Sequence, residues 1–462
     1  MNNSTTKPMP ALTSVAILAF IGTLIETSMN VTFPTLSQTF HVNLGTVQWI
    51  TSGYLMIMAL TMMCSAFLQR RYSLINLFDY ATAAFVIGAL LSLCAQKSFF
   101  LLLIGRLIQA GCAGIAIPSM INLTLTIIPI QQVGFYMSTA GMIVNLAPAL
   151  GPTFGGLMVS IASWKFIFLV TLPIVILTWL LGRKTLLPFS HKGRKLKFPS
   201  HQFTLLAIAF LVFNWSFSQF NGGWIIFLIL IGLIIVSCLL LWFYNKIRNH
   251  TETDLLNLSL FKQKNVRRAF FIYASIQLVN LGVNLVIPNL VQMAQHLSAF
   301  KSGLILLPGS LLVALINPLF GKLYDRYGGA KPIGGGLFLM LLGMIGLLIV
   351  NQLGIFGELI IVYIIFSIGR TMAFSNILTD TLKHTATTAQ ADINALFSTG
   401  QQLAGSVGST LGAVLMTIPV NLLANNFQPV LGQAVFLTLL IIILIAIIVN
   451  HLLFHPFKNT SE

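Results

Sequence analysis

Apolar residues fill this chain in long runs, and polar side chains interrupt the runs at a few spaced positions. A helix needs about 20 apolar residues to cross the hydrocarbon core of a bilayer. Runs of that order recur along the whole chain, roughly at 11–34, 46–69, 74–95, 98–126, 133–159, 163–183, 202–219, 222–245, 265–293, 301–321, 331–351, 354–379, 391–419 and 431–454. Only helices can satisfy every backbone polar group within runs of this length. The pattern predicts an all-α polytopic membrane protein with 14 transmembrane helices. The most informative interruption is IGTLIETSMNVTFP (Ile21–Pro34) in the first run. Glu26 lies deep in that run, and an acid at such a depth usually lines a cavity and handles ions or protons. Asn30 and Pro34 follow at steps of four, so Glu26 and Asn30 share a helical face with a kink residue one turn on.

Composition narrows the class. Hydrophobic residues make up 56% of the 462 and charged residues only 7%, against about a quarter charged in a soluble protein. Of the nine acids, only Glu26 and Asp79 sit well inside a run. Asp79 reads as a partner for Arg70 or Arg71, with a second proton site as the alternative. Cys64, Cys94, Cys112 and Cys238 all lie in apolar runs and read as small hydrophobes, not as metal ligands or disulfide partners. The first run is too long and too polar at its centre for a cleaved signal, so it is expected to be retained.

An even number of spans puts both termini on one side. With that side cytoplasmic, twenty of the 25 Lys/Arg fall inside the cell, including Lys192–Lys197 and Lys262–Arg268, while Lys97, Lys165 and Lys301 fall outside. This is the bias of a plasma-membrane protein, and it accounts for the net charge of +16 without a nucleic-acid partner. No loop is long enough to form a soluble binding domain.

The chain repeats internally. Glu26, Asn30 and Pro34 return as Asn280, Asn284 and Pro288; SAFLQRRY (Ser65–Tyr72) returns as GKLYDRYG (Gly321–Gly328); IGRLIQ (Ile104–Gln109) returns as IGRTMA (Ile368–Ala373). The offsets of 254, 256 and 264 residues relate the first six spans to the last six. The chain therefore divides into an N-terminal six-helix half (1–186), an insertion with two extra helices and a linker (187–260), and a C-terminal six-helix half (261–462). Paired six-helix halves around a midplane cavity are a secondary-transporter plan. The carboxylate of the first half is an amide in the second, so the titratable element is one-sided.

Several motifs carry a family resemblance. In the fifth span ALGPTFGG places Gly151, Pro152, Gly155 and Gly156 in a G-P-x-x-G-G pattern. The fourth carries GRLIQAGCAG, with Arg106 and Gln109 among its motif positions; the second carries Trp49 and Tyr54; DLLNLSLFK (Asp254–Lys262) follows the eighth. On these residues the chain resembles the major facilitator superfamily, in its fourteen-helix drug:proton antiporter branch and a lincomycin-exporter-like subgroup. The loop after the second span departs from the usual G-x-L-x-D-R-x-G-R, with Gln69 standing where the acid belongs. Its second-half copy keeps Gly321, Asp325, Arg326 and Gly328, and is expected to be the surviving cytoplasmic latch.

The resemblance implies proton-driven export of hydrophobic, cationic or zwitterionic drugs, with no cofactor, no metal and no enzymatic step. Glu26, Arg106 and Asp79 are the candidate coupling residues. Glu26, Asn30, Trp49, Tyr54, Gln109, Asn145, Gln277, Asn280, Asn284 and Gln401 are the candidate substrate contacts. Gln277, Asn280 and Asn284 fall on one helical stripe. The partner of Arg106 is open between Glu26, Gln109 and carbonyls of the first helix. The partners are small hydrophobic substrates, protons and the lipid bilayer, and the protein is expected to be a monomer. No G-x-x-x-x-G-K-[ST] segment is present, so ATP is not the direct energy source. A metabolite or lipid exporter on the same scaffold remains open, as does a membrane sensor that transports nothing.

Overall fold

The computed structural model describes residues 8–128, 133–190, 193–218, 224–247, 255–353, 356–385, 389–416 and 432–454. Among these the chain is helical throughout. The first half holds α1 (Pro8–Ser28), α2 (Phe33–Phe40), α3 (Leu44–Val47), α4 (Trp49–Met63), α5 (Ser65–Arg71), α6 (Leu74–Cys94), α7 (Phe99–Ile127), α8 (Val133–Ile161) and α9 (Phe166–Leu186). Two helices follow, α10 (Ser200–Ser218) and α11 (Trp224–Ile247). The second half holds α12 (Lys264–Gln295), α13 (Ala299–Leu304), α14 (Leu307–Tyr327), α15 (Ala330–Leu353), α16 (Phe356–Lys383), α17 (Gln390–Met416) and α18 (Gln433–Phe454).

Ten of the described helical segments are long and apolar enough to cross a membrane, or eleven if α3–α5, bent by 51° at its break, is one span. The protein is a multi-pass membrane protein. Helix α17 falls short of that measure because polar residues stud it; Thr399, Gln402, Ser406, Ser409 and Thr410 are nonetheless buried, since α4, α10 and α12 pack around it.

The two halves repeat each other's packing. Helix α1 lies against α7, α8 and α9, as α12 lies against α16, α17 and α18. Helix α6 packs on α7 and α9, as α15 packs on α16 and α18. Between halves, α8 meets α13 and α14, and α17 meets α4. The α10–α11 pair docks on that second seam, where α10 touches both α17 and α4.

The kink after Glu26 has a local cause. Pro34 has no N–H, so the carbonyl four residues earlier, that of Asn30, lacks its helical donor. The chain tightens into a 3₁₀ turn at Met29–Thr32 before α2 resumes. Asn289 Nδ2 of the second half then donates to Asn30 O at 2.7 Å, and Gln292 Nε2 donates to Val31 O at 2.9 Å. A break in one half is thus completed by side chains of the other.

Candidate functional site

A cavity of about 830 Å³ lies between the halves. Thr23, Glu26 and Thr27 of α1, with Met58 and Met62 of α4, form one wall. Across it stand Gln277, Asn280 and Asn284 of α12, Tyr363 and Arg370 of α16, and Gln401 of α17. Among the described residues, the hydrogen bonds between halves gather at the other end of the helices. Besides those from Asn289 and Gln292, Ser406 Oγ donates to Ser52 O (2.6 Å), Thr410 Oγ1 to Gln48 Oε1 (3.0 Å) and Thr153 Oγ1 to Gly303 O (3.3 Å). The cavity lining lies on the Pro8 side of these contacts, so the halves are joined at one face and part around the cavity.

Glu26 is 5% exposed, and that exposure is to the cavity. No lysine, arginine or histidine lies within ion-pair distance of it among the described residues. Arg106 sits behind it, fully buried. The guanidinium donates from Nη1 to Gln109 Oε1 at 2.7 Å and lies 4.3 Å from the centre of the Tyr54 ring. Tyr54 Oη in turn donates to Gly22 O of α1 at 3.0 Å. The partner of Arg106 is therefore Gln109 directly, with a helix-1 carbonyl reached through Tyr54.

The candidate substrate contacts divide. Glu26, Gln277, Asn280, Asn284 and Gln401 line the cavity. Tyr54 and Gln109 are engaged with the arginine instead, and Asn30 is buried, its Oδ1 accepting from Thr51 Oγ1 at 3.0 Å. Trp49 is half-buried at the start of α4, toward the joined face. The side chain of Asn145 lies outside the described residues.

The polar wall is internally bonded: Tyr363 Oη donates to Asn284 Oδ1 (2.8 Å), Asn284 Nδ2 to Asn280 Oδ1 (3.3 Å) and Tyr273 Oη to Gln401 Oε1 (2.9 Å). Tyr363 and Arg370 did not figure among the sequence candidates. The IGRLIQ/IGRTMA repeat held the signal for Arg370, because it sets that residue in register with Arg106.

Asp79 corrects an expectation. It pairs with Arg183 (3.5 Å) and accepts from Trp179 Nε1 (2.7 Å), not with Arg70 or Arg71. Helix α9 packs beside α6 and brings both groups to it. Arg71 instead donates to Leu196 O (3.0 Å). Asp79 is absent from the cavity lining.

The glycines of ALGPTFGG mark a three-way junction. A methyl group on Gly151 would meet Thr27, and one on Gly155 would meet the backbone of Ser28, the two residues that follow Glu26 in α1. One on Gly156 would meet the backbone of Ala299, while Gly303 of α13 abuts the Pro152 carbonyl. Helix α8 is thus wedged between α1 and the other half with no room for a side chain. In the second half Gly405 and Gly408 of α17 abut Leu281 and Leu278 of α12 in the same way.

The second-half loop motif lies at the other face. Gly328, at φ +72°, ends α14 in a conformation that L side chains rarely adopt. Gly321 has open space around it. Asp325 pairs with Lys383 of α16 at 3.3 Å, both side chains largely exposed, and the Arg326 guanidinium lies 5.2 Å from the Tyr327 ring centre. That ion pair lies within one half.

Comparison with known proteins follows the same lines. A family model described as Major Facilitator Superfamily matches residues 15–222 and 203–409. Lincomycin resistance protein LmrB of Listeria innocua is 28% identical over 413 residues, covering 89% of this chain and 87% of that one. A multidrug resistance protein B homolog of Mycobacterium tuberculosis is 26% identical over 425 residues, covering 89% and 78%. Among solved structures, a peptide transporter POT in complex with sulfate superposes with a TM-score of 0.68 over 97% of this chain and 94% of that one, at 15% identity, a likeness of fold alone. Two helical halves, their repeated packing, the cavity between them and a family match across most of the chain agree: the protein belongs to the Major Facilitator Superfamily, a family of transporters.

Proposed function

We propose that this protein is a proton-coupled antiporter that exports hydrophobic cationic or zwitterionic compounds from the cytoplasm. The observation that carries the reading is Glu26, an acid within the bilayer-spanning bundle that faces the cavity and has no ion-pair partner among the described residues. Such a group either holds a cation or takes up a proton, and in a cavity that serves both faces in turn those two events exclude each other. Protonation from outside releases the substrate; proton loss toward the cytoplasm restores the anion for the next one. Arg106 stands behind Glu26, held by Gln109 and Tyr54, as the fixed charge against which the acid titrates. The glycine junction gives α8 a smooth surface on which the halves rock.

In this reading the chain crosses the plasma membrane fourteen times, as halves 1–186 and 261–462 with 187–260 between them, and acts as a monomer. The Pro8 face is cytoplasmic because the Lys/Arg excess lies on that side. The state described is then inward-facing. Asp79, tied to Arg183 and Trp179, is structural in this scheme.

The test uses purified protein in proteoliposomes with an imposed pH gradient. Glu26→Gln should abolish gradient-driven movement of a fluorescent zwitterion such as norfloxacin while the protein still folds and inserts. The amide keeps the shape and cannot titrate, as Asn280 in the other half already cannot. Wild-type pH-coupled transport by the variant would sink the proposal.

A further inference from the structure

The bundle holds a second arginine, Arg370, and its surroundings differ from those of Arg106 in one consistent direction. Arg106 donates from Nη1 to Gln109 and is covered by Tyr54, with Glu26 nearby across the wall. Each of these has a repeat counterpart in the second half, and each counterpart is smaller or uncharged. Gln109 corresponds to Ala373, Glu26 to Asn280 and, at the offset of 256 residues, Tyr54 to Ser310. Arg370 has therefore lost the acceptor, the ring and the acid together. In their place is space: Arg370, Ser310 and Asn280 all line the cavity. Arg370 donates from Nη2 to Thr371 Oγ1 at 2.7 Å, and no acid lies within 4 Å of it among the described residues. A guanidinium carries five donors in a planar fork that matches a carboxylate edge.

We propose that Arg370 is the anion-binding pole of the substrate site and takes a carboxylate. The substrate is then a zwitterion, its cationic group toward Glu26 on one half and its carboxylate on Arg370 of the other. A lipophilic monocation would have to share the cavity with an uncompensated guanidinium, whereas a zwitterion neutralises both walls. Thr371, by holding Nη2, fixes the fork, and among the described residues no other acceptor takes its remaining donors. A carboxylate reaches two of these at once, and such charge-assisted pairs are the strong ones. Ser367 of the same helix lines the cavity beside it and offers a hydroxyl to the same group. This assignment rests on the reading that the cavity is the substrate site, and it does not depend on proton coupling.

The experiment is equilibrium binding to the full-length protein in nanodiscs, at one pH and with no gradient. The probes are a fluorescent quinolone zwitterion, norfloxacin, and its ethyl ester, which keeps the amine and the ring and lacks the carboxylate. The acid should bind wild type about tenfold tighter than the ester, as loss of a charged hydrogen-bonding partner implies. Arg370→Gln should remove that preference by weakening the acid, while the cationic ester, relieved of the guanidinium's repulsion, binds at least as tightly as to wild type. Arg370→Lys should keep part of the preference, since charge remains and the fork is lost. Equal binding of acid and ester by wild type, or binding of neither, overturns the proposal. So does a folded Arg370→Gln protein that weakens both probes alike. The comparison in wild type stands even where a variant fails to fold. Glu26→Gln should retain the acid preference while losing proton-driven transport. A protein that prefers the acid and never couples to protons therefore refutes the antiport reading alone.

Discussion

Tyr54 is the residue through which the site is tied to the first helix. Its ring lies under the Arg106 guanidinium and its hydroxyl reaches Gly22 O, one turn before Glu26. Tyr54→Phe keeps the ring and loses the hydrogen bond, so it should lower stability by about 0.5–1.5 kcal/mol and leave coupled transport in place. Arg106→Lys keeps the charge and loses both the Nη1 hydrogen bond to Gln109 and much of the stacking, worth about 2 kcal/mol at a desolvated site. Its thermal midpoint should fall further than that of Tyr54→Phe, and pH-driven transport should fall with it. Melting curves in detergent rank the two, and the reverse order would show that the ring and not the guanidinium fork holds the cluster. Much of this cluster was legible in the sequence: the depth of Glu26 marked it, and Gln109 was among the open partners of Arg106. The partner of Asp79 was not. Arg70 and Arg71 are near in sequence, whereas Arg183 arrives only because α9 packs on α6. Arg370 was visible as a repeat residue, but the space around it comes from substitutions on α12, α14 and its own α16 together, which no single motif displays.

Helix α8 shows how a sequence motif becomes a packing surface. Its glycines let the backbone approach α1 at Thr27 and Ser28 and α13 at Ala299. Gly155→Leu must push α8 away from Ser28, since backbone and not a flexible side chain occupies the space. Transport should be lost while binding of a substrate probe in detergent is largely retained. Gly141, on the same helix, has nothing near its missing side chain. Gly141→Ala should therefore be stabilising, by about 0.5–1 kcal/mol, from the entropy of the unfolded chain. Paired melting and uptake assays check both, and normal uptake by Gly155→Leu would mean that close backbone approach is not required. The apolar runs placed the helices well, because run length and hydropathy are local properties. The bend after Met63 left less trace, since no proline or glycine occupies Cys64 or its neighbours. The docking of α10 was hidden for another reason. Asn214 bonds Ser406 and Thr410 of α17, and neither its partners nor its direction follows from its own helix.

At the scale of the molecule, the balance between the two faces rests on where the halves touch. The loop motif alone suggested that Asp325 carries this balance. In the state described, Asp325 pairs with Lys383 inside its own half and both are exposed, so losing the pair is worth only about 0.2–1 kcal/mol. The contacts that span the halves at the opposite face are buried or half-buried, and those of Asn289 and Gln292 complete the carbonyls freed around Pro34. Each is worth about 0.5–1.5 kcal/mol, and two together about 1–3 kcal/mol, enough to move a two-state population about 5- to 150-fold. Asn289→Leu with Gln292→Leu should therefore open that face, whereas Asp325→Asn should shift the equilibrium by several-fold at most and Gln69→Ala hardly at all. Spin labels at Gln38, near the end of α2, and Lys301, on α13, sit at that face on opposite halves and are exposed. Distance distributions between them should broaden toward longer separations in the double variant and stay near wild type in Asp325→Asn. A larger shift from Asp325→Asn would place the controlling contact at the exposed ion pair, and the buried amides would then be only packing.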